Sequence, residues 1–366
     1  NTLRIVKRVY GEDINIDSIP LDDTKAFELM QTGDTTGVFQ LESAGMKRYL
    51  KELKPTVFED IVAMVALYRP GPMQWIDDFI ARKHGQRAIE FLHPAMANAL
   101  ETTYGVIVYQ EQVMQISKEM CGFTGGQADT LRKAIGKKIP EVMKKMKVEF
   151  IEGAIKTVGA DRPLMDKFWK QLEDFAAYCF NKAHAACYAM IAYQTAYLKS
   201  HYPAAFMAAL MTSDFDDIDR LAIEITECRH MEIEVLPPDV NESFLEFAVV
   251  PDKQKIRFGL RELKNVVSNA VDAILRVREE LGGFETLETF VSNVNPRVVN
   301  RKSMESLIKS GAFDSLAERI QLLDNIDSLL GYSSKLQKEK EAGQTDLFVG
   351  SDEVHTQAKL QLGPAT

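Results

Sequence analysis

The sequence predicts a mainly α-helical protein, in which a large multi-helical part is followed by a small helical module with a β-hairpin. Apolar residues recur at helical spacing over long stretches, as at Leu164, Phe168 and Leu172. The pattern changes to two short apolar runs divided by a polar turn only between Phe244 and Leu260. We therefore expect a single hairpin in otherwise helical structure.

The first part of the chain contains clear helix start and stop signals. Residues 22–24 form a helix start, and Gly33 ends that helix. Residues 58–68 predict a buried helix, which must end at residues 69–72 because a helix interior does not tolerate two prolines. Arg69, on this rigid turn, could contact a phosphate or could only shape a structural corner.

A short extended run at residues 104–109 precedes a helix predicted from Gln110 to Met120. Gln110 and Gln112 lie at the start of that helix. Their amides could contact a template strand, although glutamines in this position more often cap the helix.

A basic segment follows between Gly125 and Pro140. On a helix, Arg132 and Lys133 point one way, and Lys137 and Lys138 emerge about one and a half turns later. No carboxylate lies between Asp129 and Glu141 to neutralise this ridge, so it could bind an anion or form a solvated helix face.

A polar elbow separates two helical patterns between Phe175 and Pro203, and it contains Tyr178, Asn181, Lys182 and His184. A lysine, a histidine and an amide beside a tyrosine can hold an anionic ligand with an aromatic group, such as a nucleoside triphosphate. The same residues could instead cap the second helix.

These motifs resemble those of the bacterial C-family replicative DNA polymerases, the DNA polymerase III alpha family. The family pattern A-D-x-L-R-R-A-M-G-K-K is matched by residues 128–138, and F-N-K-S-H-S-x-x-Y by residues 180–188. Three more motifs, V-F-Q-L-E-S, R-P-G-P and Y-G-x-x-x-Y-Q-E-Q-V-M, occur at residues 38–43, 69–72 and 104–114. Lys133 replaces the second arginine of the family pattern, which puts a bidentate phosphate contact there in doubt.

The resemblance implies a fingers domain that binds an incoming dNTP and template-primer DNA for template-directed DNA synthesis. The implied nucleotide-binding residues are Arg132, Lys133, Lys137, Tyr178, Asn181, Lys182 and His184. Weaker DNA contacts are expected at Arg69, Gln110, Gln112, Lys138, Arg297, Arg301 and Lys302.

The catalytic aspartates of the family and their Mg²⁺ belong to the palm domain, before Asn1. We therefore expect no catalytic residue, no metal ligand and no polymerase activity in this segment alone. The acidic run from Asp214 to Asp219 is predicted to cap a helix in a loop, because it lacks flanking strand residues.

The resemblance also divides the chain. It implies the end of the palm at 1–20, the fingers at 21–213, an acidic helical connector at 214–243, a β-hairpin with a helix-hairpin-helix-like module at 244–332, and a tether with a flexible tail at 333–366. The hairpin at 264–269 lacks the glycines by which the family's backbone approaches phosphate, so reduced DNA affinity is expected.

The tail carries the sequence Q-T-D-L-F, which resembles the motif by which bacterial polymerases bind the sliding clamp. Leu347 and Phe348 would enter a pocket of the clamp's beta subunit, with Gln344 and Asp346 beside them. The expected partners are therefore template-primer DNA, dNTP, the clamp and other replicase subunits. A non-catalytic DNA-binding or clamp-binding accessory protein is the alternative, and the choice between a replicative and a lesion-bypass enzyme stays open.

The charge of the chain is typical of a nucleic-acid enzyme in only one region. The net charge is −9, but Lys and Arg outnumber Asp and Glu, 14 to 11, between residues 101 and 200. No apolar run reaches the length of a membrane span, so we expect a cytoplasmic protein without a membrane partner.

The four cysteines show no metal-binding spacing and predict reduced core thiols. The non-methionine start and the polar end suggest a piece of a longer protein.

Overall fold

The computed structural model describes residues 1–137, 139–176, 178–250, 255–341 and 360–364. It confirms the mainly α-helical prediction. The helices are, in chain order, α1 (Thr2–Tyr10), α2 (Thr24–Thr32), α3 (Ala44–Leu53), α4 (Phe58–Leu67), α5 (Ile76–Lys83), α6 (Ala97–Leu100), α7 (Gln110–Cys121), α8 (Gly125–Lys137), α9 (Pro140–Val158), α10 (Arg162–Ala176), α11 (Lys182–His201), α12 (Pro203–Ser213), α13 (Ile218–His230), α14 (Ser268–Leu281), α15 (Leu287–Asn293), α16 (Arg301–Ser310), α17 (Arg319–Asp324) and α18 (Ile326–Glu341).

The chain divides into two compact units. The helical unit is Asn15–His201, and the sheet unit combines Asn1–Ile14 with Tyr202–Thr366. These boundaries differ from the predicted ranges, because α12 packs on α1 and therefore belongs to the sheet unit. The names palm, fingers and connector remain predictions.

The helical unit has two apolar clusters. One lies around α2, α3, α4, α5 and α11, and the other around α7, α8, α9 and α10. In the first cluster α11 packs closely on α4 and α2. Its contact face combines the buried Tyr193 ring, which meets Phe27 of α2 and Phe58 of α4, with four alanines that let the helices approach: Ala185, Ala189, Ala192 and Ala196.

Asp60, on α4, is a buried carboxylate that joins three segments of the helical unit. It accepts backbone N–H bonds from Thr56 at 2.9 Å and Val57 at 3.3 Å, and the Tyr104 hydroxyl donates to it at 2.9 Å. Lys83 Nζ lies 2.9 Å from it, with the lysine side chain only 7% exposed. Burial and the Asp60 charge raise the pKa of Tyr104 above its ordinary value. The charges of Asp60 and Lys83 are thus buried together.

The sheet unit contains a three-stranded sheet in the order β1-β3-β2, with β1 (Glu234–Leu236), β2 (Ala248–Val249) and β3 (Lys255–Arg257). The antiparallel pair of β2 and β3 confirms the predicted hairpin. Strand β1 pairs with β3 in parallel and was not predicted, since three residues are too few to show an alternating pattern. Helices α14 to α18 surround a separate apolar cluster beyond the sheet.

The C-terminal end differs from the predicted tether. Helix α18 continues to Glu341, and residues 360–364 dock back onto the module. The backbone N–H of Gly363 donates to Asn325 Oδ1 at 2.8 Å, and the Asn325 and Gln321 side-chain amides both donate to the Gly363 carbonyl at 3.2 Å. Leu360 and Leu362 pack on the apolar cluster. The flexible-tail prediction is therefore wrong for residues 360–364.

The prediction that the four cysteines lie in the core holds for only some of them. Cys121 and Cys228 are buried, Cys179 is partly buried and Cys187 is exposed on α11. Burial raises the pKa of Cys121 to about 12. Among the described residues, no helix combines the length and apolar character that a membrane crossing needs.

Candidate nucleotide-binding site

The elbow before α11 is fixed by the segment that leads into α7. Phe180 N–H donates to the Val108 carbonyl at 3.2 Å, and Gln110 N–H donates to the Phe180 carbonyl at 2.9 Å. These bonds form an isolated parallel bridge between Tyr109 and Phe180. The extended run predicted at residues 104–109 therefore ends in a bridge between single residues, Tyr109 and Phe180. This bridge holds the elbow in place.

Glu111, in the first turn of α7, caps the start of α11. Asn181 Nδ2 donates to Glu111 Oε1 at 3.0 Å, and the Lys182 backbone N–H donates to Glu111 Oε2 at 2.9 Å. Asn181 Oδ1 accepts the His184 backbone N–H at 2.9 Å. Asn181 therefore caps α11, which is the alternative to ligand binding that the sequence left open. Its side-chain NH₂ group and its side-chain oxygen both have protein partners.

Tyr178 lies over the proline-glycine corner. Gly71 has φ 103°, and a Cβ atom there would lie 2.4 Å from two carbons of the Tyr178 ring. Arg69 Nη2 donates to the Tyr178 carbonyl at 2.6 Å, and its Nε donates to the Ala66 carbonyl at 2.8 Å. The Arg69 guanidinium also stacks on Phe180, 4.3 Å from the ring centroid.

These contacts make Arg69 a structural residue of the corner. Burial lowers the pKa of its guanidinium from the ordinary value. The predicted phosphate contact is not supported, because the side chain already holds the elbow backbone. Position 71 requires glycine for two reasons. Its φ angle is one that other residues rarely adopt, and the Tyr178 ring occupies the space that a Cβ atom would need.

The remaining elbow side chains face solvent. Lys182 and His184 are exposed, and Tyr178 is 41% exposed. The His184 ring lies 4.5 Å from the Tyr188 ring and 5.3 Å from the Phe180 ring. Lys182 Nζ lies 5.5 Å from the Tyr109 centroid. The elbow therefore presents an ammonium group beside a row of stacked rings.

On α8, one carboxylate holds the two leading cations. Arg132 donates to Asp129 Oδ1 through Nε at 3.0 Å and Nη2 at 2.8 Å, and Lys133 Nζ lies 2.7 Å from Asp129 Oδ2. The hydrogen bonds of Lys133 and then Arg132 hold the pKa of this carboxyl below its usual range. The prediction of an unneutralised basic ridge is therefore wrong for Arg132 and Lys133. Asp129 pairs with both, because they follow it by three and four residues and lie on the same face of the helix.

Lys137 ends α8, and its side chain and all of Lys138 lie outside the described residues. Helix α8 packs along α7, which carries Glu111 at its start. Within the described part of the chain, no hydrogen bond or ion pair connects Arg132 or Lys133 with the elbow. Their convergence on one nucleotide remains a prediction.

Gln112 is not available for DNA. It is 4% exposed, and its Oε1 accepts the backbone N–H groups of Val108 at 2.8 Å and Tyr109 at 2.9 Å. Its Nε2 donates to the Ala99 carbonyl at 3.0 Å and to Thr103 Oγ1 at 2.7 Å. The predicted template contact is corrected to a helix cap. Gln110, only partly buried, donates weakly to the Cys179 carbonyl at 3.3 Å.

In the sheet unit, the hairpin before α14 keeps a tight turn without glycine. Asn265 has φ 65°, in the left-handed region that asparagine tolerates. Val266 N–H donates to the Leu263 carbonyl at 3.0 Å, and Ser303 Oγ donates to the Asn265 carbonyl at 2.7 Å. The N-cap of α14, Val267, accepts no side-chain cap bond. The loss of the glycines therefore does not remove the turn.

The predicted basic contacts of this module differ in their surroundings. Arg297, Arg301 and Lys302 are all exposed, and Arg301 forms an ion pair with Asp327. Asn300 caps α16 by accepting the Ser303 N–H at 3.1 Å. The start of α16 thus presents a cationic surface that is neutralised only in part.

The acidic run is used to begin α13. Asp217 accepts the Arg220 backbone N–H at 3.0 Å, and Asp214 lies 3.1 Å from Arg220 Nε. In the part of the chain that the structure describes, no three His, Cys, Asp or Glu side chains are grouped so that they could hold a metal ion. Asp217 and Asp214 thus serve the start of α13, as expected, whereas the absence of a Mg²⁺ ligand from this segment stays a prediction.

Comparison with known proteins gives two family matches. Residues 1–158 match the bacterial DNA polymerase III alpha subunit finger domain, and residues 232–322 match a helix-hairpin-helix motif. DNA polymerase III subunit alpha of Campylobacter jejuni is 43% identical over 100% of this chain and 30% of the relative.

The same subunit of Borreliella burgdorferi is 45% identical over 95% of the chain and 31% of the relative, and that of Thermus aquaticus 44% over 96% and 29%. The chain therefore spans about 30% of the length of the curated relatives it matches.

Proposed function

Because this chain belongs to the family of bacterial DNA polymerase III alpha subunits, we propose that it supplies nucleotide- and DNA-binding surfaces to a DNA-directed DNA polymerase. In the reaction of the complete polymerase, the primer 3′-oxygen forms a bond to the α-phosphorus of a template-selected dNTP, and pyrophosphate leaves. The match of residues 1–158 to the finger domain favours this over a non-catalytic accessory protein.

The observation that carries the proposal is the cation pair on α8. Asp129 holds Arg132 and Lys133 side by side on a surface where they are 34% and 58% exposed. Such exposed helix-surface pairs contribute little stability, because water screens the charges. A charge-assisted bond to phosphate is worth about 1.5–3 kcal/mol. A triphosphate can therefore replace Asp129 as the partner of both cations.

The elbow supplies the second part of the nucleotide site. Tyr178 is fixed over Gly71, and Lys182 and His184 are exposed at the beginning of α11. In the proposed complex, Tyr178 packs near the sugar or base, and Lys182 and His184 face the anionic groups. Asn181 acts through the backbone, because it caps α11.

The proposal places Mg²⁺ and the catalytic carboxylates in the part of the polymerase that this chain does not include. No step of the reaction is assigned to the acidic run at residues 214–219, in which Asp217 caps α13. We therefore expect no primer extension by this chain alone, and the measurement is extension of a labelled primer with Mg²⁺ and all four dNTPs. Extension by the wild-type chain would refute the assignment, most clearly if a double Asp216→Ala, Asp219→Ala variant lost it.

The test of the nucleotide site is Arg132→Ala in the complete polymerase. Loss of one charge-assisted phosphate contact of about 1.5–3 kcal/mol predicts a ten- to hundred-fold higher KM for dNTP, or a comparable fall in kcat. Arg48→Ala is the matched control, because Arg48 is also an exposed helical arginine beside a carboxylate, Glu52. Equal kinetics of the two variants would refute the proposed role of Arg132.

For DNA, we propose that the module of α14 to α18 contacts the phosphate backbone through the Asn265 turn and the start of α16. Lys302 is exposed there. Replacing it with alanine should weaken duplex binding alike for all sequences and reduce the salt dependence by roughly one counterion. An unchanged salt slope would remove Lys302 from the interface.

We also propose that the segment Gln344 to Phe348, which lies outside the described residues, binds a sliding clamp. Burial of Leu347 and Phe348 gives about 3–6 kcal/mol before ordering costs, which predicts weak binding, with a Kd of roughly 40 μM or higher. The measurement is titration against bacterial clamp, with a Leu347→Ala, Phe348→Ala double variant and Val349→Ala as control. Equal affinity of the double variant and wild type would refute this contact.

A further inference from the structure

The start of helix α13 exposes apolar side chains on the surface of the sheet unit. Ile218, the first residue of the helix, is 80% exposed, and Ile223 is 53% exposed. Phe215, just before the helix, is 40% exposed. A single exposed apolar side chain is ordinary, whereas several close together on one surface indicate a contact with another molecule.

The packing of α13 does not use these isoleucines. Helix α12 and strand β1 contact α13, whose buried apolar side chains include Leu221. Helical periodicity puts residues 218, 219, 222 and 223 on the opposite face, and all four are exposed. The two isoleucines therefore lie near each other on the outer face of the helix, on either side of Asp219 and Ala222.

Carboxylates lie beside these apolar side chains and give the surface a negative charge. Asp216 and Asp219 are exposed, and neither carboxylate has a hydrogen bond or an ion pair within the described part of the chain. Between residues 201 and 250, Lys and Arg number only 2 against 11 Asp and Glu. The start of α13 therefore carries unpaired negative charge in a segment that has few cations to neutralise it.

Two arginines near these residues already have partners. Arg220 Nε lies 3.1 Å from Asp214 Oδ2 and 3.2 Å from Glu224 Oε1. The Arg261 guanidinium stacks on the Phe215 ring, 4.9 Å from the ring centroid. Neither arginine therefore supplies a free cation to the unpaired aspartates.

This combination of apolar and acidic groups decides which kind of molecule fits the surface. A nucleic acid or an anionic lipid surface would bring more negative charge to the unpaired aspartates. A metal ion would leave the isoleucines uncovered. A second copy of this chain, in a two-fold contact, would oppose the aspartates with the same aspartates. A partner with both basic and apolar side chains satisfies every group of the surface.

We propose that the α13 surface, formed by Asp216, Ile218, Asp219, Ala222 and Ile223, docks a protein partner through a basic amphipathic helix. Helices pack on helices through rows of side chains three and four residues apart, so one face of such a segment can present both kinds of group. Its apolar stripe covers the isoleucines, and its lysine or arginine side chains pair with the aspartates. This inference goes beyond the proposed function and does not depend on it, because none of these residues has a role in nucleotide, DNA or clamp binding.

The experiment is titration of the complete 366-residue chain with a synthetic helical peptide of about 14 residues, which carries leucine on one face and lysine on the other. Saturable binding is expected, and it should weaken at least about fivefold between about 0.05 and 0.5 M salt, because salt screens the ion pairs. A peptide with serine in place of leucine and one with glutamate in place of lysine should each bind at least about tenfold more weakly, because each lacks one half of the contact.

The apolar half of the contact is tested with Ile223→Ser, which should reduce peptide affinity at least about tenfold. Ile320→Ser is the matched control, because Ile320 is also a helical isoleucine with 53% exposure, on α17. The control should change the affinity less than about twofold. Equal effects of the two variants would overturn the proposal.

The acidic half is tested with Asp216→Asn and Asp219→Asn together, which leave the cap residue Asp217 in place. This double variant should bind the peptide more weakly and lose most of the salt dependence. Asp272→Asn with Glu285→Gln removes the same charge at exposed positions outside the α13 surface and should keep both properties. An unchanged salt dependence of the first double variant would overturn the proposal, because the aspartates would then take no part in binding.

A second copy of the chain, as the alternative occupant, would give a different result. In sedimentation equilibrium, a wild-type dimer that Ile218→Ser dissociates would assign the surface to self-association and overturn the proposal. A wild-type monomer is expected at the concentrations used for titration. Absence of saturable binding of the basic peptide would also overturn the proposal.

Discussion

Gly71→Ala should damage the elbow more than an ordinary glycine substitution, because two separate costs meet at this position. A side chain at φ 103° and ψ −77° strains the backbone, at a cost of about 1–3 kcal/mol. The new Cβ would also lie 2.4 Å from the Tyr178 ring carbons. To restore an ordinary contact, the ring must move by roughly 1 Å away from Gly71, with a loss of packing of about 0.5–1.5 kcal/mol.

The chain contains a matched control for the backbone cost alone. Gly85 has φ 69°, and a Cβ there would meet no atom within 4 Å. Gly85→Ala should therefore cost only the left-handed strain, about 1–2 kcal/mol. Gly71→Ala should cost about 1.5–4.5 kcal/mol in total, as the sum of strain and displaced ring.

The assay is urea unfolding followed by circular dichroism, with the free energy taken by linear extrapolation. A double-mutant cycle with Tyr178→Ala isolates the steric part, since without the ring only the backbone strain remains. If Gly71→Ala costs the same with and without the Tyr178 ring, the steric argument is refuted. A cost no larger than that of Gly85→Ala would refute the combined estimate.

Three further outcomes are expected. Asp60→Ala should lower the free energy of unfolding by about 3–5 kcal/mol, because it leaves the Lys83 ammonium buried without its counter-ion. Burial raises the pKa of Glu262 to about 7 from an ordinary 4.5, so its stabilisation is complete below pH 4.5 and lost as the pH rises toward 7. Glu262→Gln should therefore leave stability unchanged near pH 4.5 and raise it by about 1–3 kcal/mol at pH 8. Thiol labelling at pH 8 should modify exposed Cys187 first, whereas buried Cys121, with its pKa raised to about 12, should react slowly.

Each outcome has a result that would contradict it. Asp77→Ala, on exposed surface, is the control for Asp60→Ala, and equal losses of stability would exclude the buried ion pair as the cause. For Glu262, the free energy of unfolding is measured against pH. Parallel profiles of wild type and Glu262→Gln would show that the pKa of the carboxyl is the same in the folded and unfolded states. For the thiols, peptide mapping that finds Cys121 modified before Cys187 would contradict the observed burial.

Local signals predicted much of the helical architecture. Asp23 accepts the Ala26 N–H at 2.8 Å at the start of α2, and Gly33 ends that helix at φ 72°. Both features depend on neighbouring residues only, so the sequence contains them in full. The two prolines after Arg69 likewise end α4 where expected.

Features that depend on distant partners were not predictable in the same way. Gln112 is buried because Ala99 and Thr103 come to it from another segment, and the sequence does not show that approach. Strand β1 exists because β3 lies beside it. The docking of Gly363 requires Asn325, which is 38 positions away. In each case tertiary contact supplies hydrogen bonds that local pattern cannot indicate.

One wrong prediction had a local cause and could have been avoided. Asp129 was treated as the boundary of the basic ridge, although its spacing of three and four residues predicts pairing with Arg132 and Lys133. The turn before α14 keeps its shape without glycine, because asparagine also adopts the left-handed conformation, as Asn265 does. The reduced DNA affinity expected there stays a prediction.

The return of residues 360–364 to the module covers part of its surface. Leu360 and Leu362 pack on the apolar cluster, and Gly363 occupies the side-chain amide of Asn325. A partner that needs this apolar face or this amide must first displace residues 360–364. The docked segment therefore competes with any ligand of that face, and its removal would expose the face.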